Sequence, residues 1–593
     1  MITKGVEKNR APKEWLIPPP HPRRDELAAA LRVSPVVAQV LLNRGIEDAE
    51  TARQFLRPAA SDLIPPEDLP GASEAAERIA AAIRDRRRIV LFGDYDVDGI
   101  TGVSILWHCL RLAGGDPAFY IPHRLEEGYG ISVEAMESLA TDGAQLIVSV
   151  DCGVTAMEPA RIARERGVEL IITDHHSPHR AADGSLELPD ALLVHPGLIN
   201  AKGEAYPNPH LSGAGVALKV AWAVAQNLSG AKKVSDDFRA FLIDAMGLAA
   251  LGTIADIVPL LGENRIIAHH GLLGLPQSRL AGVRALIASA GLTGKALDGY
   301  DIGFKMAPRL NAIGRMGHAQ LAVQLLTRAD EGEAMRIAEN LEQQNKARQT
   351  LERKIAGEAE ELVRAQEQDA DSVRAIVLAS HGWHAGVIGI VASRMTEMFG
   401  KPTVMIALED GTGQGSARSI RNFALNEVLA DCAEHLITYG GHAMAAGLRI
   451  QADRVDAFRT AFQNRAGQLL TAGDLVPKLR VDDVVSLDRL NESLVKELKL
   501  LAPFGAGNPA ARLATDWLDV FGDPRTVGAT GTHLQLQLTD GRTRCKGIAF
   551  GQAKASAQLA DHRRCRVVFE PVINEWNGRR SVEMQVLDIK FPE

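Results

Sequence analysis

The feature that most constrains this chain is a stretch from about residue 72 to about residue 270 in which short apolar runs alternate with amphipathic ones. SEAAERIAAAIRDRR reads as a helix leading into a strand, RIVLF, and a further helix is predicted from Thr101 to Leu112. QLIVSV, MEPARIARERG and ELIIT continue the alternation. Short apolar strands separated by amphipathic helices predict an α/β fold on a parallel, doubly wound sheet. Ligands of such sheets collect at the carboxyl ends of the strands. There this chain carries acid and imidazole. RIVLF runs into Gly93-Asp94-Tyr95-Asp96-Val97-Asp98-Gly99, QLIVSV into Asp151-Cys152-Gly153, and ELIIT into Asp174-His175-His176.

Asp94, Asp96 and Asp98 recur every second residue, so an extended segment would project all three to one side. Carboxylates so close repel one another, and the arrangement is costly unless cations occupy it. The same letters open an EF-hand calcium loop. That reading fails because Ile105 stands at the twelfth position, where a bidentate Glu is needed, and because the preceding element is a strand. A solvated acidic turn is the other plain reading of the motif taken alone. Two further strands ending in Asp or His at the same edge favour metal ligation, since adjacent histidines after an aspartate add nitrogen donors. Asp256, in Gly252-Thr253-Ile254-Ala255-Asp256, lies between apolar runs where an unpaired carboxylate would be penalised, and is assigned to the same centre.

A chain of 593 residues exceeds one core, and a prior of roughly 150 residues per domain suggests about three or four units. The formal net charge of -8 does not announce a nucleic-acid binder, so a polyanion must be met by local Lys and Arg or by bound cations. Cys109, Cys152, Cys432, Cys545 and Cys565 are scattered and form no CxxC pair, which argues against a disulfide framework and a zinc ribbon and fits a reducing cytosol. The opening MITKGVEKNRAPKEW lacks an apolar signal region, and the most apolar stretch, Leu242 to Leu261, contains Asp244 and Asp256. A cytoplasmic protein with no membrane span is expected.

Further along, about 330 to 368 is free of proline and rich in Glu, Lys, Arg, Gln and Ala, which predicts one long solvated helix acting as a connector. A second α/β unit follows, with strands AIVLAS and PTVMIAL around the helix VIGIVASRMTEMFG. From about 470 alternating segments such as HLQLQLTD, CRVVFEPVI and SVEMQVLDI predict an all-β tail closing as a small barrel.

Taken in order, DYDVDG, VDCG, TDHH and GTIADIVPL resemble the four motifs of the DHH phosphoesterase superfamily. GWHAGVIGIVASR (382–394), GSARS (415–419) and GGHAMAAG (440–447) resemble its associated DHHA1 domain. With APRLNAIGR (307–315) between them and LAPFGAGNP (501–509) beyond, the order is similar to that of RecJ-type single-strand exonucleases. The resemblance implies a parallel-sheet DHH catalytic domain over 70–275 after an N-terminal helical extension, 1–69. It implies a helical connector over 276–368, a smaller α/β DHHA1 domain over 369–465 and an OB-like β-barrel over 466–593.

By the same resemblance Asp96, Asp98, Asp151, His175, His176 and Asp256, with Asp94 contributing, match residues that bind two divalent cations, Mn2+ or Mg2+. His176 has two readings open, metal ligand or phosphate contact. Arg124, Arg315, Ser416 and Arg418 match positions that hold the 5′ end of the substrate, and His442 a contact to the scissile phosphate. His384, beside Trp383, shares that uncertainty of role with His442. GSARS is expected as a tight Gly-flanked loop gripping a phosphate. Basic clusters RTRCKG (542–547), HRRCR (562–566) and NGRR (577–580), with Phe550, Phe569 and Trp576 for base stacking, are expected to track a single strand. The implied activity is 5′→3′ hydrolysis of single-stranded DNA to 5′-mononucleotides in DNA repair and recombination. A monomer is implied, with a single-strand-binding protein and a RecQ-type helicase as candidate partners. Two rivals remain: another DHH phosphodiesterase of the nanoRNase or cyclic-dinucleotide type, and a non-catalytic strand-binding protein of the replisome. The tail and length speak against the first, and the complete set of carboxylates against the second.

Overall fold

The computed structural model describes residues 13–592 apart from 124–126, 129, 182, 201, 317–318, 371 and 577, and apart from the side chains of 315, 316 and 576. The chain divides into two compact units. One comprises Arg57–Arg348 with Ala502–Pro509; the other comprises Met1–Leu56, Gln349–Leu501 and Ala510–Glu593.

The first unit is built on a parallel sheet of Ile89–Gly93 (β1), Ala118–Tyr120 (β2), Leu146–Val150 (β3), Glu169–Thr173 (β4) and Leu192–Val194 (β5), ordered β2-β1-β3-β4-β5. The alternation of strands and helices foretold this doubly wound arrangement. Every residue of β1 and β3 is buried, because helices cover both faces. Ile89 and Leu91 pack into one core while Val90 and Phe92 pack into the other, as a period of two requires. Ala72–Arg84 (α1), Val97–Leu112 (α2), Gly213–Ser229 (α5), Asp236–Ala255 (α6) and Gly262–Gly274 (α7) build the larger core; Val133–Thr141 (α3) and Met157–Glu165 (α4) build the smaller. By length and composition α6 could cross a membrane, yet here it packs against α2, α5 and α7.

Register sets the functional edge. Gly93 lies beside Val150, and Val150 beside Thr173, so three strands end level. The ladder then runs one residue further, with Asp94 N donating to Val150 O (3.2 Å), Asp151 N to Thr173 O (2.8 Å) and Asp174 N to Val194 O (3.2 Å). Ala307–Met316 (α8) follows later in this unit, and Glu331–Ala365 (α9) is the predicted long helix. Residues 502–509, though distant in sequence, belong to this unit. Their carbonyls at Ala502 and Pro503 accept from the buried Arg265 guanidinium (2.7 and 3.4 Å), and Leu260 N donates to Ala506 O (2.8 Å).

In the second unit, Ile376–His381 (β6), Thr403–Glu409 (β7), Thr412–Arg418 (β8), Leu436–Gly441 (β9) and Ala445–Gln451 (β10) form a sheet ordered β9-β10-β8-β7-β6, flanked by Ala385–Phe399 (α10). The tail was expected to be all β. It does contain a closed ring of strands, Leu518–Val520, His533–Thr539, Arg544–Ala549, Arg579–Lys590 and Arg564–Trp576, but helices Glu492–Lys499 and Ala555–His562 accompany it. The first of these has Asn491 as its N-cap and buries Leu494, Val495 and Leu498 on one stripe, a 3.6-residue signal inside a region read for alternation.

Candidate functional site

The three aspartates after β1 do not lie in an extended segment. Helix α2 begins at Val97, not near Thr101, because Asp96 is its N-cap: the Asp96 carboxylate accepts from Asp98 N (2.9 Å) and Gly99 N (3.1 Å). Asp98 therefore sits in the first helical turn, with its carboxylate directed to α5. Its carboxylate accepts from Gly213 N (2.6 Å) and Ala214 N (3.0 Å) at the N-terminus of α5, where unpaired amides and the helix dipole favour an anion. Asp151 holds φ 65, a left-handed conformation that Asp tolerates, at the tight exit from β3. Asp256 caps the C-terminal end of α6.

Side chains from four places in the sequence thus meet at the carboxyl edge of the sheet. Metal-binding atoms of Asp94, Asp96 and Asp151 form one group, those of Asp98, His175 and Asp256 a second, and those of Asp151, His175 and His176 a third, each within 4.8 Å. Asp151 and His175 are each shared between two groups. His175 Nε2 is buried, forms no hydrogen bond, and faces Asp151 Oδ1 at 3.1 Å, Asp256 Oδ2 at 3.6 Å and Asp98 Oδ2 at 3.9 Å.

Electrostatics sharpen the picture. Burial, then the neighbouring Asp96 charge, pushes Asp98 up to about 7. Burial, then the Asp98 and Asp96 charges, pushes Asp256 up to about 8, and the same causes drive Asp151 well above the carboxylate range. These acids cannot all be anions at neutral pH unless positive charge enters among them. Burial, with the His176 charge, lowers His175 to about 3, so its ring is neutral and its lone pair is available.

Asp174 organises this end of the site although it was not singled out. Fully buried, its Oδ1 accepts from His175 N (2.7 Å), His176 N (3.1 Å) and His176 Nδ1 (2.8 Å), and its Oδ2 accepts from Val154 N (2.8 Å). Burial pushes Asp174 upward, but the His176 hydrogen bond and charge with the amides overcome it and hold the carboxyl at about 2. Burial in turn lowers His176, and the Asp174 hydrogen bond and charge outweigh it, raising the ring to about 9. His195 supports the same turn. Its Nδ1 accepts from Gly197 N (2.9 Å), so its Nε2 carries the proton donated to His176 O (2.7 Å).

In the second unit GSARS is not a loop. Ser416 and Arg418 lie on β8, paired across to Met405 and Thr403 on one side and to Gly447 and Ala445 on the other. Two residues apart on a strand, they share a face, and Arg418 Nη1 donates to Ser416 Oγ (3.1 Å). Gly389, in the first turns of α10, passes so close that a Cβ there would lie 2.9 Å from Ser416 Oγ. His384 is the N-cap of α10, its Nδ1 accepting from Gly386 N (3.1 Å). His442 is exposed in the β9–β10 hairpin, its N donating to Ala445 O (2.8 Å). Arg124 lies outside the described residues, and Arg315 lies on α8 with its side chain outside them. In the tail Phe550 is exposed but Phe569 is fully buried, which removes it as a stacking surface. An aromatic alternating with polar residues on a strand points inward as readily as outward, and the sequence does not say which. The Trp576 side chain lies outside the described residues. Phe521, not singled out, is exposed, with the Arg544 guanidinium 3.5 Å over its ring.

Three domain families match in order: the DHH family N-terminal domain over 88–253, the DHHA1 domain over 372–468 and the RecJ OB domain over 481–588. The single-stranded-DNA-specific exonuclease RecJ of Bacillus subtilis is 37% identical over 571 residues, covering 96% of this chain and 69% of the relative. The chain belongs to the RecJ family of single-stranded-DNA-specific exonucleases. RecJ of Escherichia coli is 31% identical over 581 residues, covering 94% of this chain and 96% of that protein. The crystal structure of Thermus thermophilus RecJ in complex with Mn2+ superposes with a TM-score of 0.81 at 32% identity, over 98% of this chain and 80% of that one. A Mg2+ complex of the same RecJ gives 0.76 at 31% identity, over 98% and 79%. As a RecJ-family chain the protein is an exonuclease. The residues that sequence reasoning passed over, Asp174 and His195, hold the histidine turn from behind. A local signal existed for Asp174, the first letter of the D-H-H run; none existed for His195.

Proposed function

We propose that the chain hydrolyses single-stranded DNA from the 5′ end at a centre of two divalent cations, Mn2+ or Mg2+, releasing 5′-mononucleotides in DNA repair and recombination. The observation that carries the reading is that Asp94, Asp96 and Asp151 form one ligand group and Asp98, His175 and Asp256 a second, joined where His175 Nε2 faces Asp151 Oδ1 at 3.1 Å. Three carboxylates pushed toward their neutral forms, Asp98, Asp151 and Asp256, and one neutral buried imidazole fit cations as partners, and the mixed oxygen and nitrogen set fits manganese well. The RecJ of Thermus thermophilus, crystallised with either ion, supports the same assignment.

Two such cations, when bound, supply a hydroxide near neutral pH and screen the charge of the scissile phosphate. The chain's own residues do the rest. The amides of Gly213 and Ala214 fix the Asp98 carboxylate, and Asp174 fixes the ring plane of His176. His176, raised by its hydrogen bond to Asp174 and partly open to solvent, is assigned to the phosphate, where it stabilises the charge that develops on oxygen. Arg124, Arg315, Ser416, Arg418 and His442 are assigned to the phosphates of the strand. The domain limits 70–275, 369–465 and 466–593 are assigned to catalysis, substrate orientation and strand binding in turn. A monomer in the cytoplasm, fed by a RecQ-type helicase and a single-strand-binding protein, completes the reading.

Single strands labelled at either end test it in manganese. Mononucleotides must leave from the 5′ label first; release from the 3′ end, or equal attack on duplex, refutes the polarity or the strand preference. Asp151→Ala must abolish turnover with the fold intact, and retained activity would refute the site.

A further inference from the structure

Residues 299–316 form one continuous helical rod in the catalytic unit: Gly299–Asp301, a π-helical stretch Ile302–Met306, and α8. The π-helix has a local cause. Pro308 offers no N–H to the Phe304 carbonyl, and the ladder widens so that Ala307 N donates to Ile302 O, five residues back. The rod is fixed at both ends. Asp298 and Asp301 form a reciprocal capping box, and Gly299 approaches the Phe504 carbonyl so closely that a Cβ would lie 2.5 Å from it. Toward the other end Gly314 packs on the backbone of the catalytic loop, where a Cβ would lie 2.9 Å from Tyr95 O.

On this rigid rod Tyr300 and Phe304 stack ring on ring, with centroids 4.7 Å apart and planes 22° from parallel. They are 54% and 69% exposed, so folding gains little from either ring. Lys305 braces the pair, its Nζ 5.6 Å from the centre of the Tyr300 ring and 2.6 Å from Asp301 Oδ1. Phe304 and Gly314 are ten residues apart (304 to 314), which places the stack about 15 Å along the helix from the Tyr95 loop. Two side chains of about 150–250 Å² each, partly exposed, fall far short of the roughly 800 Å² a stable protein partner would cover. Flat, rigid and paired aromatic faces beside a cation suit the faces of unpaired bases, which every base presents regardless of sequence.

We propose that Tyr300 and Phe304 form a stacking platform for nucleobases of single-stranded DNA on the catalytic unit, gripping the strand some nucleotides from the scissile phosphate. The inference rests on the exonuclease reading above. Its test is steady-state cleavage of a 20-nucleotide single strand and of a dinucleotide by the full-length double variant Tyr300→Ala/Phe304→Ala. KM for the long strand must rise at least about tenfold, equivalent to about 1.4 kcal/mol, with kcat within twofold. Dinucleotide turnover must stay unchanged, because that substrate is too short to reach the platform. Tyr300→Phe and Phe304→Trp, which keep flat faces, must restore KM. An unchanged KM, or a parallel loss on the dinucleotide, overturns the platform; a wild-type enzyme that cleaves neither substrate overturns the exonuclease reading instead.

Discussion

Replacing Gly252 by alanine separates stability from catalysis in one atom. Gly252 lies in α6, where alanine is ordinarily better than glycine by about 0.8–1 kcal/mol. Here its Cβ would meet Asp98 Oδ1 at 2.4 Å, Thr101 Oγ1 at 2.5 Å and Ala214 Cβ at 2.7 Å, where ordinary contact begins near 3.4 Å. A gap of about 1 Å must therefore open. None of the three neighbours yields easily. Thr101 Oγ1 is bonded to Val97 O (2.8 Å), Ala214 belongs to α5, and Asp98 is pinned by the amides of Gly213 and Ala214. Overpacking of this kind costs about 1–3 kcal/mol; set against the helix-propensity gain, the variant should lose at most about 2 kcal/mol and remain folded.

Catalysis should suffer much more. Asp98 is the neighbour that belongs to the site, and a shift of about 1 Å in a catalytic group costs on the order of 100-fold in rate. The assay is kcat on a saturating single strand over a manganese titration, with unfolding followed by calorimetry. Gly357→Ala supplies the contrast, because Gly357 lies on α9 with nothing within 4 Å of a Cβ. That variant should gain up to about 1 kcal/mol and keep full activity. A Gly252→Ala enzyme within threefold of wild-type rate would refute the claim that α6 seats Asp98.

Three further outcomes are expected. In metal-free protein Asp98 and Asp256, held at about 7 and about 8 by burial and then by neighbouring carboxylates, keep protons in the folded state that they lose when unfolded. Their contribution is full below the unfolded carboxylate pKa of about 4 and is lost as pH rises through about 8, so Tm should fall from pH 5.5 to 8.5 and manganese should raise Tm more at the higher pH; a metal effect larger at pH 5.5 would contradict this. Lys219→Met leaves Glu263 charged and buried beside Tyr206 OH (2.6 Å) and Ile64 N (3.1 Å), which should destabilise the catalytic unit by about 3–5 kcal/mol in calorimetry, with Glu263→Gln in the same chain recovering part of it. Asp174→Asn keeps one acceptor oxygen for the histidine turn but removes the negative charge beside His176 and sets an amide donor against Val154 N, and should lower activity about 10–100-fold; undiminished activity would show that the charge is not needed.

What could be read from the sequence depended on how far apart the cooperating residues are. The strands ending in Asp94, Asp151 and Asp174 were legible because period and composition are local signals, and parallel register did the rest by ending the strands level. The local error at DYDVDG came from treating a strand's period of two as continuing past the strand. Asp96 before an apolar run is equally an N-cap signal, and the cap places Asp98 in a helical turn with its carboxylate on α5. GSARS misled in the opposite direction: the glycine that opens it suggested a loop, yet Gly415 and the preceding Gly413 sit inside β8 because Leu448 and Ile406 crowd the space a side chain would take. What stayed hidden was non-local. Gly213 and Gly252 are glycines because Asp151 and Asp98, 62 and 154 residues away (213 − 151 and 252 − 98), occupy the volume of their missing Cβ atoms. Arg265 reaches carbonyls more than 230 residues on, at Ala502 and Pro503, and so ties a loop of the tail to the segment that follows Asp256. The ligands announce themselves by chemistry, but their positioning rests on atoms that are absent and on backbone contacts that leave no local mark. Variants at the glycines therefore test the three-dimensional arrangement more sharply than variants at the aspartates, whose loss would abolish activity under almost any arrangement of the site.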